Sequence, residues 1–479
     1  MKKINKYIFY LFFILIAFFN FQYNFLGVAG TNNFYEIPSS NGEIETTDGI
    51  LYGHKTGRYV LGRFERENFK TWQNPLEYRN QYLTNDSNWY FSEYLTSYGL
   101  QVKIYGFLAY KFNLSLSDMH KINSLIYAAV IVILMELLHK YFSYRAIFFF
   151  GIAIIFSPWN IIFAKDIRWV QWSWYLPILS ILFIDHLSKI SENLKLLLTC
   201  ILVMFFFILK FLISYEFIST LVMLTISIYI FINVYKKNTP IKKIITSSLL
   251  VSLSTLIAFL ISIIILVNSK SHLVNYNNIL KNRIYINLGL VNPIDIYCDQ
   301  DATLGNSFIP KARTRNLEEV KICKEESLKK SNYAVTRVEV VLRYLIFRNL
   351  LPWIGNTEAL SSDDFKSDLK RFWWDRNYSF YKEIFYKHNF NEFLFPISIF
   401  IQTTLFLLLI CIVFIKFFQN FSAKYFLVLM SFFSSLSWFI LAKEYSYIHL
   451  HLCYVVWTVS FIPFSVLILF DKKNKINSK

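Results

Sequence analysis

The sequence predicts an all-α protein that threads a membrane many times, and three observations predict it. Of the 479 residues, 55% are hydrophobic and 19% aromatic. The apolar residues gather in repeated runs of roughly 20, the length that crosses a bilayer core as helix. Those runs lack the period-two alternation of a membrane barrel strand. A soluble chain of this size would instead make roughly two or three domains with polar surfaces.

Taken in order, the chain opens on Met1-Lys-Lys-Ile-Asn-Lys6 and an apolar run. The run is too long for a signal peptide, and no small-x-small cleavage site closely follows it. Residues 1–28 therefore read as a retained anchor helix, with the lysines holding the N-terminus in the cytoplasm. Residues 29–121 become a first extracytoplasmic loop. Spans centred on 122–138, 146–162, 170–184, 196–213, 217–234 and 244–267 make residues 122–267 a transmembrane bundle. Residues 268–392 form a second extracytoplasmic loop. Region 393–479 holds spans centred on 393–417, 425–441 and 451–470, then a basic cytoplasmic tail. The expected architecture is an all-α polytopic membrane protein with about ten transmembrane helices. Its two large extracytoplasmic loops carry amphipathic helices.

Charge sets the orientation. The expected inner turns hold His139, Lys140 and Arg145; Lys189 and Lys195; Lys236, Lys237, Lys242 and Lys243; Lys416 and Lys424. The tail adds Lys472, Lys473, Lys475 and Lys479. Every short inner connection is positive, as the loop rule requires, which leaves both termini cytoplasmic. The same rule accounts for the formal net charge of +17. Basic residues flank spans and meet anionic lipid, and no nucleic-acid-binding motif accompanies them.

The outer side is expected to hold three short charged turns, two of them of mixed sign. They are Lys165-Asp166-Ile-Arg168, Ser214-Tyr215-Glu216 and Lys443-Glu444-Tyr445-Ser-Tyr447-Ile-His449-Leu-His451. Charge at bilayer depth is costly and normally faces a cavity or a partner. Each residue alone reads as an interfacial side chain reaching water; their convergence on one face points to a polar cavity opening outward. Glu136 and Lys210 come nearest to buried charges, and each can reach an end of its helix.

Both long loops carry aromatic and helix-like stretches. In the first, the run from Tyr90 to Tyr105 has apolar residues at helical spacing, suited to a membrane surface. In the second, Phe372-Trp373-Trp374 either anchors at headgroup level or stacks on sugar rings. Asp363 and Asp364 suit the start of a helix, with binding of a metal or of the acceptor as the other reading. Cys200, Cys411 and Cys453 lie in apolar runs as small packing residues. Cys298 and Cys323 share the second loop, where they either pair in an oxidising compartment or stay free thiols.

No GxGxxG, Walker, HExxH or GxSxG pattern stands in a convincing setting. An outward site needs an activated substrate that reaches it without cytoplasmic nucleotides, and a polyprenyl-phosphate sugar meets that need. An anchor span comes first. Glu45-Thr-Thr-Asp48-Gly49 follows in a large first outer loop, then re-crossing helices and a second outer loop. This layout resembles the GT-C class of membrane glycosyltransferases, which includes protein mannosyltransferases and the aminoarabinose transferase of lipid A. The resemblance covers nearly the whole chain as layout. Two acids three positions apart stand where many members carry an adjacent pair.

The resemblance implies an inverting displacement, with Asp48 as general base and Glu45 as the second candidate. Lys165, Arg168, Lys443, His449 and His451 would stabilise the leaving lipid phosphate, with Arg168 and His449 foremost. Asp166, Glu216, Glu444 and Tyr445 would bind sugar or support those cations, though Glu216 and Glu444 equally suit structural ion pairs. No metal is required by the sequence, and the cofactor is left open. The partners are a polyprenyl-phosphate-linked sugar donor, a glycan, lipid or protein acceptor, and membrane lipids. The Ile, Asn, Lys and Phe bias suggests an AT-rich genome and a bacterium, so the expected location is a bacterial inner membrane. Three other readings stay open: an O-antigen polymerase or ligase, a lipid or polysaccharide transporter or flippase, and a receptor or scaffold. A transporter predicts internal repeats and broken helices.

Overall fold

Backbone polar groups in a bilayer find no water, so apolar segments close their hydrogen bonds within a helix. Apart from one two-stranded ribbon, the regular secondary structure among the described residues is accordingly helical. The computed structural model describes residues 3–29, 43–66, 89–236, 239–270, 394–419, 422–442 and 455–471, with isolated positions between.

Helix α1 (Lys3–Tyr23) lies against α4 (Leu116–Leu138), and between them in sequence come the elements of the first polar region. These are α2 (Glu43–Thr56), the antiparallel ribbon β1 (Gly62–Arg66) with β2 (Trp89–Glu93), and α3 (Leu100–Phe112). The amphipathic helix expected over residues 90–105 is therefore not formed as one element. Phe64 pairs with Phe91 across the ladder, and Phe91 stacks on Tyr52 of α2 at 4.1 Å. A partner strand and an apolar cover turn a period-two aromatic run into a strand, leaving the helix to begin after Gly99. Gly99 itself has φ +74°, a conformation glycine adopts without strain. Helix α4 starts at Leu116, six residues before the expected span, because Ser115 and Asp118 form a reciprocal cap there.

The bundle continues with α5 (Tyr144–Ile155), α6 (Pro158–Ala164), a short 3-10 helix (Gln171–Tyr175) and α7 (Leu176–His186). Then come α8 (Glu192–Ile213), α9 (Ile218–Tyr235) and α10 (Ile241–Ser269). The last helices are α11 (Leu394–Gln419), α12 (Ala423–Leu441) and α13 (Ile462–Leu469), the last preceded by a π-helical turn at Trp457–Phe461. The span expected over residues 146–162 is broken: α5 and α6 meet at 68°, where Ser157 and Pro158 restart the helix. The span expected from residue 170 begins as 3-10 helix and becomes α-helical only at Leu176.

Against the ten expected spans, five helices among the described residues are long and apolar enough to cross a membrane: α4, α8, α9, α10 and α12. The bent α5–α6 pair makes six. Shorter apolar helices occupy Tyr7–Tyr23, Thr404–Gln419 and Trp457–Leu469. Helices α9 and α12 pack against each other, as do α8 and α10. Outward-facing Leu249, Leu253, Leu256, Leu260 and Ile264 leave an apolar stripe along α10, suited to lipid tails.

The two ends of the bundle carry different charge clusters. At one end, Asp185 accepts from Tyr141 and Lys140 and pairs with Lys236 at 2.6 Å; Lys424 pairs with Asp471, which also accepts from the Ser143 amide. This gathers the turns that the sequence assigns to the inside. The other end holds α2, α3 and the turns at 165–170 and 214–217. A small core of Ile50, Leu61, Val102, Tyr105, Met119, Ile167, Val170 and Ile213 lies beneath them, separate from the main one.

Candidate functional site

Helix α2 is polar, yet its first two turns are buried on every side. Burying three carboxylates there is tolerable only because each finds a hydrogen-bond donor or a cation, and the amino end of a helix favours acids. Glu43 Oε1 pairs with His120 Nε2 at 2.6 Å and accepts from the Ile167 amide at 3.2 Å. Glu45 lies between two arginines, with Arg168 at 2.8 Å and Arg63 at 3.4 Å. Asp48, one turn further on the same side, accepts from the Phe64 amide at 3.3 Å. The close approach that allows this depends on Gly49. A Cβ there would stand 2.1 Å from the Val60 carbonyl oxygen.

The turn from Lys165 to Val170 is held from several directions. Asp166 Oδ1 accepts from the amides of Arg168 at 2.6 Å and Trp169 at 3.2 Å, the local bonding that favours aspartate in turns. Asn123 donates to the Ala164 and Asp166 carbonyls while accepting from Tyr105 and Trp172. Gln101 donates to the Arg168 carbonyl. Val170 ends the turn at φ +47°, a strained conformation for a β-branched residue that only an over-determined surround retains. The Arg168 guanidinium then sits 4.8 Å from the Tyr94 ring centre with 4% of its side chain exposed. A stacked, paired arginine at this depth gains from both contacts.

The third contributor is the α8–α9 turn. Lys210, fully buried, donates to the carbonyl and hydroxyl of Ser214 at 2.8 and 2.9 Å, satisfying the carboxyl end of its own helix. Glu216 lies within electrostatic reach of Lys210 and of Tyr94. Its Oε2 is buried without a hydrogen-bond partner among the described residues.

Burial sets the titration of this region. It draws the Lys165 ammonium down to about 8, against the Glu43 and Asp166 charges that favour protonation. It pushes the Asp166 carboxyl well above the usual carboxylate range, and the neighbouring Glu43 charge adds to this. The Tyr94 phenol is raised by burial despite the Arg168 charge.

Five acids (Glu43, Glu45, Asp48, Asp166, Glu216) and four cations (Arg63, Lys165, Arg168, Lys210) thus come together from segments remote in sequence. No family model, curated protein or solved structure matches this chain. Among the described residues, no group of three His, Cys, Asp or Glu side chains is placed to hold a metal ion.

Of the residues singled out in the sequence, Glu45 and Arg168 are in direct contact, and Lys165, Asp166 and Glu216 lie in the turns around them. Asp48 is turned to the β1 backbone. Lys443, Glu444, Tyr445, His449 and His451 lie outside the described residues, as do Cys298, Cys323, Asp363 and Asp364. Sequence reasoning missed Glu43, Arg63, Tyr94, Gln101, His120 and Asn123 as members of the cluster. The acids gathered at the start of α2 were the one local signal for Glu43. Lys210 stood out as a near-buried charge, and the structure adds its place beside Glu216.

Proposed function

We propose that the protein is an inverting glycosyltransferase that moves a sugar from a polyprenyl-phosphate donor to a glycan, lipid or protein acceptor. The reaction would occur on the extracytoplasmic face of the cell membrane, within a GT-C-like layout. One observation carries the reading: Glu45 and Arg168, brought from segments 123 positions apart, form a buried ion pair at one end of an apolar bundle. Such a pair sets a cation able to meet a phosphate beside a carboxylate able to take a proton, with Asp48 one turn further along the same helix.

In the proposed step a carboxylate takes the acceptor's hydroxyl proton as its oxygen bonds to the anomeric carbon. The bond from that carbon to the phosphate oxygen breaks, and polyprenyl phosphate leaves with the electron pair. Asp48 is the base, with Glu45 as the second candidate. An incoming phosphate competes with Glu45 for Arg168, so donor binding itself would release a carboxylate beside the sugar. Lys165 adds charge for the phosphate, as would Lys443, His449 and His451. Asp166 spends its carboxylate on the turn, which leaves the unpartnered Glu216 oxygen as the better acceptor for a sugar hydroxyl. From the sequence, Glu444 and Tyr445 would be further candidates to bind the sugar or support the cations.

The test is to supply the purified full chain with a labelled polyprenyl-phosphate sugar and follow release of free polyprenyl phosphate. Asp48→Asn and Glu45→Gln are compared under the same conditions. Release that survives both substitutions rejects the assignment of the base. Absence of release with every lipid-linked donor favours a transporter. That second reading has its own support in the 68° break between α5 and α6, since discontinuous helices line transport sites. Its measure is movement of a labelled lipid-linked glycan across proteoliposomes.

A further inference from the structure

Beside the Glu45–Arg168 cluster, a cavity of about 510 Å³ opens where the end of α10 meets the loop after α2 and the start of α3. Its lining includes Arg58, Lys103, Lys270, Ser269, Tyr59 and Tyr98. We propose that this cleft binds a phosphate group, with Arg58, Lys103 and Lys270 as its cations and the phosphate carried as the headgroup of a membrane lipid.

The charge balance is the first argument. Glu93, the last residue of β2, pairs with Arg58 at 2.6 Å and with Lys270 at 2.8 Å. Lys103 donates to the Tyr98 hydroxyl at 2.5 Å and lies over that ring, with no carboxylate beside it among the described residues. Among the described residues, three cations thus share one acid around the cavity. The carboxyl end of α10 contributes only about half a negative charge, and the amino end of α3, which Tyr98 and Lys103 bracket, cancels it. The cations also crowd one another. The Lys270 ammonium is lowered from its ordinary range by burial, and the Arg58 and Lys103 charges push it the same way against Glu93. A dianionic or monoanionic phosphate relieves that repulsion, and guanidinium, ammonium, serine and tyrosine hydroxyl groups are the donors its oxygens accept.

The second argument is where the cleft sits. The exposed stripe of Leu249, Leu253, Leu256, Leu260 and Ile264 runs up α10 and stops about 7.5 Å short of Ser269, at 1.5 Å of rise per residue. A hydrocarbon chain lying on that stripe would bring its headgroup to Ser269 and Lys270. Glu93 and Tyr94 are consecutive, and Glu93 joins this cleft while Tyr94 covers Arg168. The two sites are therefore neighbours with separate cations, and this one stands whether or not the chain transfers a sugar.

The test uses the full chain in uncharged detergent, titrated calorimetrically with dodecyl phosphate, with inorganic phosphate and with dodecanol. Dodecyl phosphate is expected to bind, and Arg58→Gln or Lys103→Gln to weaken it about tenfold, the loss of one charge-assisted hydrogen bond. Both side chains are at least partly exposed, so these variants fold if the parent does. Equal binding of inorganic phosphate with the same sensitivity would support the phosphate site and assign it a soluble ligand. Absence of binding by either phosphate, binding unchanged by the substitutions, or equal binding of dodecanol would each overturn the proposal.

Discussion

Neutralising one half of the Glu45–Arg168 pair measures how deeply the cluster is committed. Only 4% of the Arg168 side chain and 8% of the Glu45 side chain are exposed, so water screens the pair little. In Glu45→Gln the guanidinium keeps its place over Tyr94 but loses its carboxylate. Leaving a buried charge so uncompensated costs about 3–5 kcal/mol. Arg168→Met is expected near the lower bound, about 3 kcal/mol, because Arg63 still faces Glu45. That residual contact is longer, at 3.4 Å. The double variant buries neither charge, so it should lose no more than the worse single one. The coupling recovered from the cycle should then be about 3 kcal/mol or more. The assay is unfolding of the detergent-solubilised full chain, followed by tryptophan fluorescence for all four proteins. A coupling below about 0.5 kcal/mol would mean that the two residues do not form the pair, and the cluster would lose its centre.

Three further outcomes follow from the same geometry. Gly49→Ala places a methyl group against the Val60 carbonyl and should destabilise the chain by about 1–3 kcal/mol, measured by the same unfolding; a neutral result would show that α2 does not lie this close. Lys165 gives up its proton at about 8 in the folded chain, against 10.5 for an ordinary lysine. Its burial cost is therefore felt below about 8, and stability contributed by this residue rises between 8 and 10.5. The difference in melting temperature between the parent and Lys165→Met should shift in the parent's favour over that window; a constant difference refutes the assignment. Finally, exposed Lys111 and Lys189 lie towards opposite ends of the bundle. A membrane-impermeant thiol reagent should label Lys111→Cys on intact cells and Lys189→Cys only after permeabilisation; labelling of both from one side rejects the orientation.

Helical membrane character was legible because it depends on local quantities. An apolar run either is or is not long enough to close its hydrogen bonds across the hydrocarbon, and flanking lysines act over one turn. The inner turns named from charge alone meet in the structure through Lys140, Asp185 and Lys236. Local signals misplaced the starts of elements where a cap or a break intervened. Ser115 with Asp118 begins α4 early, and Pro158 divides an apolar run that hydropathy reads as continuous.

The cluster was legible only in part. Mixed charge in the 165–168 turn and the lone acid in the 214–216 turn marked them, but nothing near Arg63, Tyr94 or Asn123 shows that they serve the same place. Composition and run length decide that this chain has helices suited to a membrane, because each is a sum over neighbouring residues. Which carboxylate meets which guanidinium is decided by packing: by a glycine that lets α2 approach the loop before β1, and by an aromatic run whose residues pair with partners 23 to 31 positions earlier. Those contacts join positions remote in sequence, and only the folded chain brings them within hydrogen-bond reach.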